Sequence, residues 1–301
     1  IDCCLPNYLH HQVIIDAVKA GKHVYCEKPL AENYEKAKEI YDIVNNSDIK
    51  FQMVFNNRFL PAIMRAKQLM NNNFIGQIYS FKGYYYHSGY QNENRPISWR
   101  LKKDKAGGGA LVDLGAHVID LLRYLIGDFK SIYATSNTFI KKRPKSNKKN
   151  EYEKVDVDDI CQMQIKIPEG GLGLIEASRF ATGSNDDLCF EIRGEKGAIK
   201  FSLMEPNWLY IYDAKEESQP LGGKRGFKRV ETVQRYPKPA VLPYSKATIG
   251  WLRGHIASQY NFISKIIADK EPEPSIEDGL IVQKIIEYAY LSEERDQWLE
   301  F

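Results

Sequence analysis

Apolar positions in the N-terminal part of the chain follow two alternating periods. Between His10 and Ala20, Val13, Ile14, Ala17 and Val18 recur at helical spacing and Gly21 offers a left-handed stop, which predicts a helix. The segment His23 to Cys26 then reads as a strand. Asn33 is placed to cap a second amphipathic helix carrying Ala37, Ile40, Tyr41 and Val44 on one side, and Phe51 to Phe55 reads as another buried strand. With Ile1 to Leu5 as a leading strand, the order strand, helix, strand, helix, strand predicts a doubly wound parallel sheet.

The period changes after Pro61, which suits the first turn of a short helix with Ile63, Ala66, Leu69 and Met70 on one face. Strands are predicted at Tyr79 to Tyr86, Ile132 to Ile140, Ile160 to Ile167, Leu172 to Phe180, Leu188 to Arg193, Ala198 to Ser202 and Leu209 to Tyr212. In Cys161, Met163, Ile165 and Ile167, set against Gln162, Gln164 and Lys166, the alternation is strict, so that strand has one apolar and one polar face. Short glycine-containing connections predict a mostly antiparallel open sheet. Helices near Trp251 to Ala268 and Ile276 to Leu291 return to cover the core. The expected fold class is therefore α/β: the C-terminal part of a Rossmann-like parallel sheet over residues 1–59, then an α+β domain with a large, mostly antiparallel open sheet over 60–301.

Composition adds limits. The chain has 301 residues, 43% of them apolar, enough for two modest cores. Its net charge of +3 is local, because Lys141 to Lys154 alone holds seven Lys/Arg and two Glu; that run lacks the interleaved aromatics of a nucleic-acid platform and reads as a solvated connection. Five cysteines without metal-ligand spacing predict free thiols, no metal and a reducing, cytoplasmic setting. No apolar run approaches the ~18 residues of a membrane span, so no membrane partner is expected.

Two clusters carry chemistry. Glu27-Lys28-Pro29 ends a strand, and the residue before proline is held extended, which directs the Lys28 ammonium to the crevice at the strand's carboxyl end. After Gly107-Gly108-Gly109, a helix plotted at about 100° per residue gathers Asp113, His117, Asp120 and Tyr124 in one stripe opposite Leu111, Leu114, Val118, Leu121, Leu122 and Leu125. Asp113 and His117 are i and i+4 neighbours, so the carboxylate is expected to raise and orient the imidazole. The three glycines are expected to admit a ligand close to the backbone.

These motifs, with Pro6-Asn7-x-x-His10, Trp99-Arg100 and the Gly107 to Asp120 run, resemble the Gfo/Idh/MocA family of nicotinamide-dependent sugar oxidoreductases along nearly the whole chain. The resemblance implies hydride transfer between a sugar, sugar-acid or inositol hydroxyl carbon and NAD or NADP. It implies His117 as general base, Lys28 polarising the hydroxyl, and Asp113 orienting substrate and histidine. It places Pro6, Asn7, His10, Glu27 and Lys28 at the cofactor and Trp99, Arg100 and the catalytic three at the substrate. His10 reads equally as a packing residue, Glu27 as a turn anchor, Arg58 as an internal ion-pair partner and Asp120 as structural. His255 matches a subgroup pattern whose role the sequence does not give. The family also implies a homo-oligomer, dimer or tetramer, built through the open sheet face.

The glycine-rich Gly-x-Gly-x-x-Gly/Ala turn of a dinucleotide site does not occur at the start of this sequence. The resulting expectation is a chain lacking its N-terminal dinucleotide-binding portion, which binds the cofactor only with that portion restored. Alternatives are a non-catalytic nucleotide- or sugar-sensing relative and an inactive truncated product.

Overall fold

The computed structural model describes residues 1–146, 151–233, 248 and 250–301; Lys148 and Lys149 of the basic run lie outside the described residues. The first lobe is a three-stranded parallel sheet in the order β1 (Asp2–Cys3), β2 (Val24–Cys26), β3 (Phe51–Met53), linked by α1 (Asn7–Lys19) and α2 (Tyr34–Asn45). The predicted cap forms: Asn33 Oδ1 accepts from the Lys36 amide at 2.9 Å. Ile14, Ala37, Ile40 and Val44 bury the inner helix faces against Cys3, Val24, Cys26 and Met53.

Helix α3 (Pro61–Asn71) leads into the second lobe. Its nine-stranded sheet runs β13-β12-β11-β10-β4-β9-β8-β5-β14. The members are β4 (Ile78–Tyr86), β5 (Ser131–Asn137), β8 (Ile160–Lys166), β9 (Leu172–Ser178), β10 (Asp187–Gly194), β11 (Gly197–Ser202), β12 (Trp208–Asp213), β13 (Lys228–Glu231) and β14 (Leu299–Glu300). Every neighbouring pair is antiparallel except β4 and β9, which run parallel, so the mixed but mostly antiparallel reading holds. A two-stranded ribbon, β6 (Lys142–Pro144) with β7 (Tyr152–Lys154), stands apart and occupies part of the basic run. The run is thus not simply solvated: Arg143 is fully buried and donates to the Asn92 carbonyl at 2.7 Å and the Tyr90 carbonyl at 2.5 Å.

One sheet face is covered by α5 (Ala116–Ile126), which follows the short α4 (Lys103–Ala106), and by α7 (Ile276–Arg295). Gly83 on β4 lets α5 approach: a Cβ there would lie 2.6 Å from a Val118 methyl. The opposite face presents Tyr84, Tyr86, Tyr133, Gln162, Gln164 and Leu174 around a shallow depression, with Leu172 and Leu174 each 58% exposed.

The C-terminal helices tie the lobes together. On α6 (Leu252–Ile267), Ser258 Oγ accepts from the Tyr25 hydroxyl at 2.9 Å and from Gln52 Nε2 at 3.0 Å. Asn261 Nδ2 donates to Gln52 Oε1 at 2.8 Å. Gly279 of α7 packs where a Cβ would meet Met53 Sδ at 2.8 Å. Arg58 is buried and ion-paired with the buried Asp120 at 2.5 Å and with Asp278 at 3.0 Å, joining the end of the first lobe to α5 and α7. The internal ion-pair reading of Arg58 and the structural reading of Asp120 therefore describe the same contact. Among the described residues no helix is long and apolar enough to cross a membrane, and all five cysteines are free thiols.

Candidate active site

Strand β2 ends at Cys26 and delivers Glu27 and Lys28 to the cleft between the lobes. The Lys28 ammonium donates to Asp113 Oδ1 at 3.1 Å and to the Asp113 carbonyl. The other carboxylate oxygen of Asp113 accepts from Arg179 Nη2 at 3.0 Å. Arg179, at the end of β9, is 1% exposed; its guanidinium lies over the Tyr90 ring at 4.6 Å and reaches the Arg100 carbonyl at 3.4 Å. Burial alone would raise the Asp113 carboxyl, but Lys28 and then Arg179 hold it far below its usual range, so it stays an anion.

The expected Asp113–His117 contact is not made. Residues Leu111–Gly115 form a π-helix rather than an α-helical turn, so the i,i+4 register of an α-helix does not hold there, and both Asp113 oxygens are taken by cations. The effect on the imidazole is also the reverse of the one expected. Burial, followed by the Lys28 ammonium, holds His117 well below the ordinary imidazole range; Asp113 opposes this and loses. His117 packs beside the Tyr85 ring, with centroids 5.7 Å apart, and its Nδ1 is buried without a hydrogen-bond partner. Such orphaned polar atoms are rare in packed interiors and mark sites where something other than stability is served.

Two cavities meet at Lys28. One, of about 210 Å³, lies at the carboxyl ends of β1 and β2 and is bordered by Cys4, Leu5, Asn7, Pro29, Trp99, Arg100 and Asp113. The other, of about 420 Å³, is bordered by Asn56, Tyr85, His117, Asp186, Trp251 and His255. Glu27 and Lys28 border both. The predicted site residues are thus divided: Trp99, Arg100 and Asp113 lie on the first side, His117 on the second, and Lys28 between them. Arg100 stacks over Trp99 at 4.4 Å. Burial raises the Glu27 carboxyl despite the Lys28 charge, and its Oε2 accepts from the Lys28 amide at 3.3 Å.

Of the residues expected at the cofactor, Pro6 and His10 border neither cavity. His10 is fully buried, with Nδ1 3.0 Å from the Pro29 carbonyl and Nε2 2.8 Å from the Leu5 carbonyl. Its single ring N–H can bond one of these two carbonyls, which ties the helix start to a neighbouring loop; spacing alone does not reveal that Cys3, His10 and Cys26 converge in the core. Asn7 borders the first cavity while its Nδ2 donates to the Ala106 carbonyl at 2.7 Å.

The glycine run serves chain packing. Gly107 takes φ +82°, and a Cβ on it would sit 2.1 Å from the Glu32 carbonyl oxygen; on Gly109 it would sit 1.8 Å from the Asp158 carbonyl oxygen. Of the two cavities at Lys28, Gly108 borders the first, and a Cβ there would meet Tyr290 Oη at 2.1 Å; Gly107 borders a separate cavity beside Glu32 and Tyr290. Asp158 then fastens the helix that follows: its carboxylate accepts from the Gly109 amide at 2.7 Å, the Leu111 amide at 2.8 Å and the Tyr290 hydroxyl at 2.6 Å. Arg179 and Asp158 escape a reading by local pattern: Arg179 is a single cation after an apolar strand, which is an available signal, whereas Asp158 stands with Asp156 and Asp159 and nothing local sets it apart.

Comparison with known proteins follows this geometry. Residues 1–55 match the oxidoreductase family with an NAD-binding Rossmann fold, and residues 63–200 match the GFO/IDH/MocA C-terminal domain. The chain is 35% identical over 312 residues to levoglucosan dehydrogenase of Pseudarthrobacter phenanthrenivorans, a match spanning 100% of this chain and 79% of that protein. Glucose-6-phosphate 3-dehydrogenase of Bacillus subtilis is 26% identical, with 97% of this chain and 78% of that protein covered. A levoglucosan dehydrogenase structure in complex with NADH and levoglucosan superposes with a TM-score of 0.90 at 35% identity, covering 99% of this chain and 78% of that one. The expectation of a missing dinucleotide-binding portion is not borne out, because residues 1–55 themselves match the NAD-binding family.

Asp158 offers a direct check on how the site is held. Asp158→Ala leaves two helix-start amides and a buried hydroxyl unpaired, and it is expected to destabilise the protein by at least about 2 kcal/mol, read from the urea unfolding midpoint. An unchanged midpoint would show that Asp158 does not anchor this helix.

Proposed function

The chain belongs to the GFO/IDH/MocA family of oxidoreductases, and we propose that it oxidises a secondary hydroxyl of a sugar or polyol with a nicotinamide dinucleotide, using His117 and Lys28 on the alcohol. The observation that carries this reading is the shared wall: Lys28 borders the cavity at the strand ends and the cavity that holds His117. Ligands of open parallel sheets bind outside the carboxyl ends of the strands, so the first cavity suits the nicotinamide end of the cofactor. Leu5, Asn7, Glu27, Pro29, Trp99 and Arg100 would hold it, the indole and guanidinium offering flat surfaces to an aromatic ring. When bound, that group supplies the acceptor for the hydride.

The chain's own residues handle the proton and the oxygen. An ammonium has three donors, and Lys28 spends two on Asp113, which leaves one for a substrate oxygen in the second cavity. Arg179 fixes Asp113, and Asp113 fixes Lys28, so the donor is held before substrate arrives. His117 is kept neutral by burial and by the nearby ammonium, and a neutral imidazole can take the hydroxyl proton as the hydride leaves.

The lobe boundary fits a division of labour, with residues 1–59 as the dinucleotide-binding unit and 60–301 as the unit for substrate and assembly. The uncovered sheet face, with Tyr84, Tyr86, Tyr133 and the exposed Leu172 and Leu174, supports a homo-oligomer through that face.

Reduction of NAD or NADP followed with a panel of pyranoses and inositols tests the activity; no turnover with any of them would refute it. His117→Asn is expected to lower kcat by roughly 10²- to 10⁴-fold while changing NADH affinity less than about twofold; parallel loss of both would contradict a general-base role. Because the base works deprotonated and its pKa is lowered, the His117-dependent acid limb of kcat/KM is expected to lie below the ordinary imidazole value of about 6.5, with activity retained as pH falls through it; a limb at or above that value would disprove the neutral-imidazole account. By light scattering, Leu174→Arg is expected to shift the particle toward the 34.7 kDa protomer; a native protein already monomeric would dismiss the interface.

A further inference from the structure

The second cavity contains a carboxylate that the proton and hydride chemistry does not use. Asp186 lies in the bend before β10 and borders the same space as His117. The Tyr85 hydroxyl donates to Asp186 Oδ1 at 2.5 Å, and Oδ2 has no partner among the described residues. Tyr85 is also the ring that packs beside His117, so one residue sets the distance between the imidazole and this acceptor. At another part of the wall, Trp251 is 59% exposed and tilts against His255 at 4.4 Å, while His255 Nε2 lies 3.2 Å from Asn56 Nδ2.

Charge on this cavity is lopsided. Among the described residues that border it, the carboxyl and ammonium groups are Glu27, Asp186 and Lys28, burial disfavours charge on His117 and His255, and Lys28 is already paired with Asp113. The two nearby guanidiniums, Arg100 and Arg179, border the other cavity. Among the described residues, an anionic sugar would therefore meet a carboxylate with no cation beyond the Asp113-paired Lys28 to answer it, and like-charge juxtaposition is an effective way to reject a wrong partner.

We propose that Asp186 is a specificity-determining residue that selects uncharged polyhydroxylated rings: its free Oδ2 accepts a hydrogen bond from a ring hydroxyl, Trp251 covers an apolar ring face, and sugar acids and sugar phosphates are repelled. The inference rests on the dehydrogenase reading above and narrows its substrate class. A hydroxyl donating to a carboxylate forms a charge-assisted bond, stronger than one to a neutral acceptor. An indole suits the C–H face of a ring, because it offers a large apolar surface with a polar edge.

The test compares kcat/KM of native protein and Asp186→Asn for levoglucosan and D-glucose, both neutral, and for D-glucuronate and glucose 6-phosphate, both anionic. Asparagine keeps an oxygen for the Tyr85 hydroxyl and removes the charge. Native protein is expected to prefer the neutral sugars. In the variant, kcat/KM for them is expected to fall roughly 10- to 100-fold, mainly through KM, with no fall for the anionic pair, so the selectivity ratio collapses. Native preference for an anionic sugar, or an equal loss on both classes, overturns the proposal. Should Asp186→Asn not fold, Asp186→Glu decides: a raised KM with the neutral preference kept supports it, and an unchanged KM overturns it. Absence of turnover by native protein with every sugar is a different result, which removes the dehydrogenase reading itself.

Discussion

A single carboxylate clasped between two cations organises this molecule. Asp113 joins Lys28 from the end of β2 to Arg179 from the end of β9, and so bonds both lobes to the helix between them. Arg179 is almost wholly buried, and a guanidinium in that position persists only with an anion to meet it. The carboxylate in turn keeps the lysine aimed at the cleft instead of at solvent. The same ammonium suppresses protonation of His117, although Asp113 alone would favour it. One ion triad therefore sets where the amine lies, and its ammonium adds to the burial that already holds the imidazole neutral.

Much of this was legible because it is local. The Asn33 cap, the alternation in β8 and the amphipathic faces of α2 and α5 follow from residues a few positions apart, and the fold built from them matches the sequence reading closely. The less legible parts depend on partners distant in the chain. Arg143 reads as one more solvated charge in a basic run, yet it is buried because the carbonyls of Tyr90 and Asn92 come to it. His10 resembles a ligand by motif, yet it is fully buried with the Pro29 and Leu5 carbonyls against its two ring nitrogens.

The helix that carries Asp113 and His117 shows both sides of this limit. Its apolar side was evident from spacing, and its leucines pack as expected. By spacing, its polar residues form one stripe with Asp113 against His117, whereas the π-helical start sends Asp113 toward Arg179 and leaves His117 beside Tyr85. A periodic plot assumes an undisturbed α-helix, and a single widened turn invalidates it at the residues that matter. The glycines ahead of that turn show the same dependence: their need for space comes from Glu32, Tyr290 and Asp158, none of which is nearby in sequence.

The parallel pairing of β4 with β9 in an otherwise antiparallel sheet has a kinetic meaning. Hairpins can zip from a turn, but Ser80 and Leu172 meet only by closing the long loop of chain between them, at an entropic cost. That segment includes the helix of Asp113 and His117. Pairing of the sheet's centre therefore confines the reactive helix within one closed loop, which lowers the conformational entropy left to lose when its side chains are positioned.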